Sequence, residues 1–370
     1  VPQCNRPVII ANPTARTEPS LLKALETCRE RVQENNHPAV HRGATMIFNA
    51  RFPSNIAACV CLATCWMQAI AADYPNRPVR MVVPFAAGSN IDGTARQIAP
   101  KISEFLGQPV VVDNRGGAGG TIGAALVAKA QPDGYTILMG NAPTHGMAPH
   151  LYTNLAYDPI KDFAPIGRID SASFVLAVSA SLPVQSVAEL VAYAKARPGA
   201  LNYASSGNGT TAHLSGTLFN NKAGVDLKHI PYNSVPQALV DLSSGAVAIM
   251  FYPYQPLIPV VQTNKVRLLA TTGQKRASYL PNLPTVIEAG IPDFVALAWH
   301  GFYAPAGTPK AVIDIIYAAL AKAMADPKVI AGLVASGIDV DLAPAAEFAR
   351  FTRQEVDRYR VLIALAGAKI

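Results

Sequence analysis

Beyond residue 65 the sequence has no cysteine: the five are Cys4, Cys28, Cys59, Cys61 and Cys65. The body of the chain therefore holds no disulfide, no thiolate nucleophile and no cysteine metal site. Charge is also scarce, at 15% of residues, and no Lys/Arg-rich block occurs. The formal charge is +7, but residues 1–72 carry seven Lys/Arg against four Asp/Glu, so the rest keeps only +4. That balance argues against a nucleic-acid partner. The seven histidines never adopt a metal-ligand spacing such as H-E-x-x-H, and there is neither a Gly-Lys-Ser/Thr triplet nor a G-x-S-x-G elbow. The most apolar run, 56–70, is too short and too interrupted to span a bilayer.

What the chain does have is length and apolar content. Its 370 residues are 50% hydrophobic, enough for two domains with sizeable cores. Met46 and Arg51 precede the apolar run, and Ala69-Ile70-Ala71 follows it with a small–x–small pattern. Residues 46–72 are read as a signal peptide and residues 1–45 as an unstructured or upstream extension, which places the remainder in the periplasm.

The organising stretch is residues 79–92, VRMVVPFAAGSNID. A β-branched run ends at Pro84 and Phe85, then small residues lead into an amphipathic pattern at Ala95, Ile98, Ile102 and Leu106. This reads as strand, tight loop, helix, with Ser89, Asn90 and Asp92 as N-cap candidates. Backbone N–H groups at such a helix start suit a carboxylate or phosphate. Strand and helix patterns then alternate to the C-terminus, which implies α/β layers around parallel strands. Expected strands include 109–113, 135–139, 174–178, 201–204, 229–232, 248–251, 266–271 and 296–304. Expected helices include 121–130, 187–196, 212–221, 236–242, 309–325, 327–336 and 345–366. So many units suit two lobes, with 174–178 and 299–304 as crossing strands. One lobe is expected at 73–172 plus 297–370, and the other at 173–296.

Further loops repeat the pattern. The glycine cluster at 116–123 opens a helix after a strand, but Ile122 occupies the place of the third glycine in a dinucleotide fingerprint. It is read as a close-packed or flexible rim, and no cofactor is expected. The loop Ser205-Ser206-Gly207-Asn208-Gly209-Thr210-Thr211 combines hydroxyls with glycines. Gripping a carboxylate suits it better than attacking a carbonyl. The enzyme alternative is a serine hydrolase using Ser205 or Ser206 with His213 or His145. Asn141, Thr144 and His145 end a third strand. Tyr252 and Trp299 lie at strand ends, where together they would form an apolar wall over an organic acid.

The chain from about residue 74 onward resembles the Bug-type periplasmic solute-binding proteins of tripartite tricarboxylate transporters. The resemblance rests on an ordered series of short motifs. They are Val83-Pro84-Phe85-Ala86-Ala87-Gly88 with Asp92, Asn114-Arg115-x-Gly117-Ala118-Gly119-Gly120, and Pro132-Asp133-Gly134-Tyr135-Thr136. Tyr157-Asp158-Pro159-x-Lys161-Asp162-Phe163, the 202–209 segment and Ala304-Pro305-Ala306-Gly307-Thr308-Pro309 continue it. The resemblance implies a two-lobed periplasmic-binding-protein fold of the second topological type, without catalysis. It implies closure around a small organic acid, a di- or tricarboxylate or an aromatic carboxylate. Delivery would be to membrane transporter subunits, or ligand status would be passed to a sensor kinase, by a monomeric protein. The ligand loops map onto Phe85, Ala87, Gly88, Ser89, Asn90 and Asp92, and onto Ser205, Ser206, Gly209, Thr210 and Thr211. The third loop, at Asn141, Thr144 and His145, would add side-chain contacts.

Two departures bear on the ligand. Gly88-Ser89-Asn90-Ile91 replaces a Gly-Gly-Gly-Thr pattern, and Tyr252 stands where the family pattern carries an acid that could pair with an ammonium. The expected ligand therefore lacks an amino group and carries an apolar or aromatic body.

Overall fold

The computed structural model describes residues 74–368. The signal-peptide and extension readings lie outside the described residues. Among the described residues no helix is long and apolar enough to cross a membrane.

The first half of the sheet grows from β1 (Val79–Val83), which pairs in parallel with β2 (Val110–Asn114) on one side and β3 (Thr136–Asn141) on the other. Between β1 and β2 runs α1 (Asn90–Leu106). Its buried side chains Ile91, Ala95, Ile98, Ile102 and Leu106 recur at helical spacing and pack onto β1 and β3. Gly107 ends it in the left-handed conformation, φ 69°. The glycine cluster forms a short 3-10 turn and then α2 (Thr121–Ala128). After β3 come a wide π-type turn, Ala142–Met147, and α3 (Ala148–Leu151).

The centre is β4 (Phe163–Ser179), 17 residues long. Residues 163–173 pair antiparallel with β9 (Leu297–Pro305), and residues 167–171 pair with β10 (Asp339–Pro344). Residues 174–179 pair instead with β7 (Ile249–Pro253) and β8 (Val266–Thr271). β7 continues in parallel to β5 (Asn202–Ser205), and β5 to β6 (Lys228–Pro231). The sheet is thus mixed: parallel strands fill both halves, and the long central strands join them antiparallel.

The second half is covered by α4 (Val187–Lys195), α5 (Thr211–Ala223), α6 (Val235–Ser244) and α7 (Tyr254–Gln262). α8 (Lys310–Met324), α9 (Pro327–Ala335) and α10 (Ala345–Ala366) return to the first half. α10 buries Phe348, Tyr359, Leu362 and Ile363 and is tied to β9 by polar contacts. The Trp299 indole Nε1–H donates to Glu355 at 2.9 Å, and Tyr303 pairs with Thr352 at 2.7 Å.

Close approach, rather than flexibility, accounts for part of the glycine cluster. A Cβ on Gly123 would lie 2.6 Å from the Arg115 carbonyl oxygen and 2.9 Å from Pro84 Cα, both backbone atoms that cannot turn aside. Gly123→Ala should destabilise the fold by about 1–3 kcal/mol through overpacking. Urea unfolding would read this as a lower midpoint at unchanged slope.

Candidate functional site

Two contiguous cavities lie where β1, β3, β5 and β7 give way to their following segments. One, of about 310 Å³, is walled mainly by apolar groups, among them Phe85, Met147, Leu151, Tyr152 and Phe174. The other, of about 440 Å³, is more polar and is lined by Ser89, Asn90, Asn141 and His300. Phe85, Pro143, Thr211 and Tyr252 line both.

The first loop owes its shape to a buried carboxylate. Asp92 is 3% exposed and accepts from the Gly88 amide at 2.8 Å, from Asn114 Nδ2 at 2.9 Å and from Arg96 Nε at 3.0 Å. Asn114 also donates to the Phe85 carbonyl, at 3.1 Å. Burial alone would raise the Asp92 pKa; the hydrogen bonds from Arg96, Gly88 and Asn114, with the Arg96 charge, outweigh it and hold the carboxyl below its ordinary 3.8. Gly88 takes φ 82°, open to glycine and strained for other residues. The result leaves Ser89 at the N-cap of α1 with no side-chain cap bond. The Ser89 hydroxyl oxygen is enclosed and has no protein partner. The first-turn amides of α1 start beside this cavity.

The second loop is largely self-satisfied. Thr210 caps α5, accepting from the His213 amide at 3.4 Å and donating to the Gly207 carbonyl at 2.8 Å. The Gly209 amide donates to His213 Nδ1 at 3.0 Å, which fixes that nitrogen as an acceptor. The His213 ring stacks on His229 with centroids 3.8 Å apart. His229 Nε2 lies 2.6 Å from the Ser205 hydroxyl. Burial lowers both imidazoles, and the His213 charge adds to the effect on His229, which falls to about 4.

The expected site residues thus divide. Phe85, Ser89, Asn90, Asn141, Ser206, Gly209, Thr210, Thr211, Tyr252 and Trp299 line one or both cavities. Six others line neither. Ala87 and Gly88 are exposed, and Asp92 is used beneath the loop as described. Thr144 is consumed by a reciprocal cap with Asn141, at 3.1 and 3.2 Å. His145 is buried in the core, its ring stacked 3.8 Å from that of Tyr303, and burial lowers its pKa to about 3. Ser205 is fully buried and bonded to His229. For Ser205 the hydrolase alternative loses its geometry: the histidine that meets it is His229, not His213 or His145, and the residue is fully buried. Trp299 is 1% exposed and lines the polar cavity while its ring packs on Phe348 and Phe351. Burial keeps the Tyr252 hydroxyl protonated by raising its pKa above 10.0.

Sequence reasoning missed His300, and also Met147, Leu151, Tyr152 and Phe174 on the apolar side. For Met147, Leu151 and Tyr152, the break after Asn141 carried the only signal, since a segment leaving a strand end borders the cleft.

Two buried imidazoles, at His145 and His213, and a half-buried one at His229 are neutral in the folded protein and bind protons when it unfolds. Their folded pKa values lie below 6.5, so the stability they allow is full above pH 6.5 and is lost as pH falls toward 4 and 3. Asp92 adds a loss at lower pH, below 3.8, as its lowered carboxyl takes up a proton. The melting temperature should therefore fall steadily below pH 6.5, and His145→Phe should make that fall shallower. A flat profile from pH 7 to pH 4.5, followed by calorimetry, would contradict this.

Comparison with known proteins gives the cleft its context. The sequence profile of the tripartite tricarboxylate transporter family receptor, TctC, matches residues 94–367. A UPF0065 protein encoded between tcbD and tcbE in Pseudomonas sp. strain P51 is 38% identical over 291 residues, covering 78% of this chain and 86% of that protein. Among solved structures, the periplasmic binding protein BugD is 38% identical with TM-score 0.65, covering 80% of this chain and 100% of its own. R. palustris Rpa4515, solved with adipate, is 35% identical with TM-score 0.68 over 80% of this chain and 100% of its own. These neighbours are two-lobed α/β binding proteins, in agreement with the fold described above. With its cleft at the ends of β1, β3, β5 and β7, the chain belongs to the TctC family of tripartite tricarboxylate transporter receptors, which are periplasmic solute-binding proteins.

Proposed function

We propose that this receptor captures a small organic acid between two lobes and presents the closed form to the membrane subunits of a tripartite transporter. The observation that carries the reading is the meeting of two helix starts at one cleft. α1 begins at Ser89–Asn90 from the first half of the sheet, and α5 begins at Thr210–Thr211 from the second. Opposed helix N-termini with nearby hydroxyls favour an anion held between them. The adipate bound by the similar Rpa4515 supports an acid as ligand. Residues 73–172 with 297–370 form one lobe in this reading and 173–296 the other. β4 and β9 serve as the connections about which they close. The protein acts as a monomer, after removal of the signal peptide at 46–72, and performs no catalytic step.

The test is a thermal-shift and calorimetric screen of the purified protein against mono-, di- and tricarboxylates and amino acids. An acid at about 100 times its Kd should add about 2.7 kcal/mol of stability. Gly209→Val should weaken binding about tenfold or more, a loss of about 1.4 kcal/mol. Gly209 has φ 73°, and a Cβ there would stand 3.1 Å from the Leu151 side chain that walls the cavity. No stabilisation by any carboxylate would overturn the reading.

A further inference from the structure

The receptor reading leaves the kind of acid open, and the polar cavity narrows it. Sheet register places three side chains side by side. Asn141 of β3 opposes His300 of β9, and His300 opposes Asp170 of β4. Asp170 is fully buried, and its carboxylate accepts from the His300 backbone amide and from ring Nδ1, each at 2.9 Å. A carboxylate accepts only from the N–H form of that nitrogen, so in the neutral ring Nε2 carries the lone pair. His300 is 7% exposed and lines the polar cavity, and Nε2 has no protein partner among the described residues.

Asn141 is fixed in the complementary sense. It is 8% exposed and lines the same cavity. Its Oδ1 accepts from the Thr144 amide at 3.2 Å, and a backbone amide can only donate, so the oxygen is on that side and Nδ2 on the other. The Nδ2 protons have no protein partner among the described residues. Residues directly opposite on antiparallel strands stand about 4.5–5.5 Å apart at Cβ, close enough for one ligand atom to reach both. The cavity wall thus carries a fixed acceptor beside a fixed donor.

A hydroxyl meets both through a single oxygen, because it donates one hydrogen bond and accepts others. An ether oxygen cannot donate, and an ammonium cannot accept. No acidic side chain lines this cavity to pair with an ammonium. The nearby acids are engaged, Asp170 by His300 and Asp92 by Arg96. We propose, resting on the receptor reading, that the ligand is a hydroxy acid whose hydroxyl donates to His300 Nε2 and accepts from Asn141 Nδ2, while its carboxylate is held at the helix starts. Asp170 is the positioning residue: by keeping the proton on Nδ1 it keeps Nε2 an acceptor.

Isothermal calorimetry of the purified protein with matched acids tests this. Malate is compared with succinate, lactate with propionate, and mandelate with phenylacetate. In each pair that binds, the hydroxy acid is expected to bind about tenfold or more tightly than its deoxy partner. It should also bind more tightly than its O-methyl ether, and malate more tightly than aspartate. His300→Leu should bring the hydroxy-to-deoxy ratio close to unity. Ring nitrogen NMR should show the His300 proton on Nδ1 and a bare Nε2. Asp170→Asn should admit the opposite tautomer as that ratio falls, which a change of packing alone would not do. The wild-type comparisons stand even where a variant does not fold. If carboxylates bind but no hydroxy acid does, or if a deoxy acid or an O-methyl ether matches its hydroxy partner, the inference is overturned and the receptor reading stands. Aspartate binding more tightly than malate, a protonated Nε2 in the wild type, or an unchanged ratio in folded His300→Leu would have the same effect. If no acid of any kind binds, both are overturned.

Discussion

The backbone of β4 is paired along both edges for most of its length, and each half of the sheet is built outward from it. Residues 163–173 complete the sheet begun by β1 and β3, and residues 174–179 begin the one that ends at β6. Two irregularities in its pairing with β9, between Pro165 and Gly167 and between Arg168 and Asp170, reset the register before the cleft is reached. Without them Asp170 would not stand opposite His300, and a buried carboxylate would lack its partner. The placement of His300 on the polar cavity is therefore a consequence of backbone pairing.

Around that strand, ionisable groups are placed by the same economy. Asp92 shapes the first loop from below, leaving the helix start above it open. His213 shapes the second loop by accepting the Gly209 amide, so that loop turns one of its own donors inward. The two lips of the cleft are thus chemically unequal. The α1 side presents a helix start without a side-chain cap, while the α5 side presents a preformed start capped by Thr210. Closure around an anion needs both: donors on one side, and a surface on the other that covers the ligand and excludes water.

Much of this is legible in residue order. The final helix reads at 345–366 because its apolar residues hold helical spacing throughout, and the structure has α10 at Ala345–Ala366. The loops after β1 and β5 stand out because small and hydroxyl residues separate strand from helix patterns. Other parts were hidden for definable reasons. The first part of β4 holds Pro165, Gly167, Arg168 and Asp170, which break alternation, so only its apolar end at 174–178 reads as strand. α7 carries Pro256 and Pro259 and gives no helical signal, though Pro253 at its start leaves the first turn intact. His145 sits at a strand end and reads as a site residue, yet the π-type turn after Asn141 carries its ring into the core. The Asp170–His300 pair joins residues 130 apart, and nothing local in the sequence marks either one.

The interleaving of the halves bears on how the chain comes to be folded. β3 finds its second neighbour only in β9, at pairings such as Leu138 with Tyr303, and β4 needs β9 as well. Contacts of such sequence separation carry a large loop-closure cost before they return any stability, which makes assembly slow. A chain emerging from its N-terminus holds β1, β2 and β3 long before β9 exists, so one edge of that early sheet stays open until the C-terminal segment arrives. A chain exported as an extended strand meets this condition without penalty, because its end follows its beginning within one passage. The same chain folding during slow synthesis would carry an unpaired, apolar edge for most of that time.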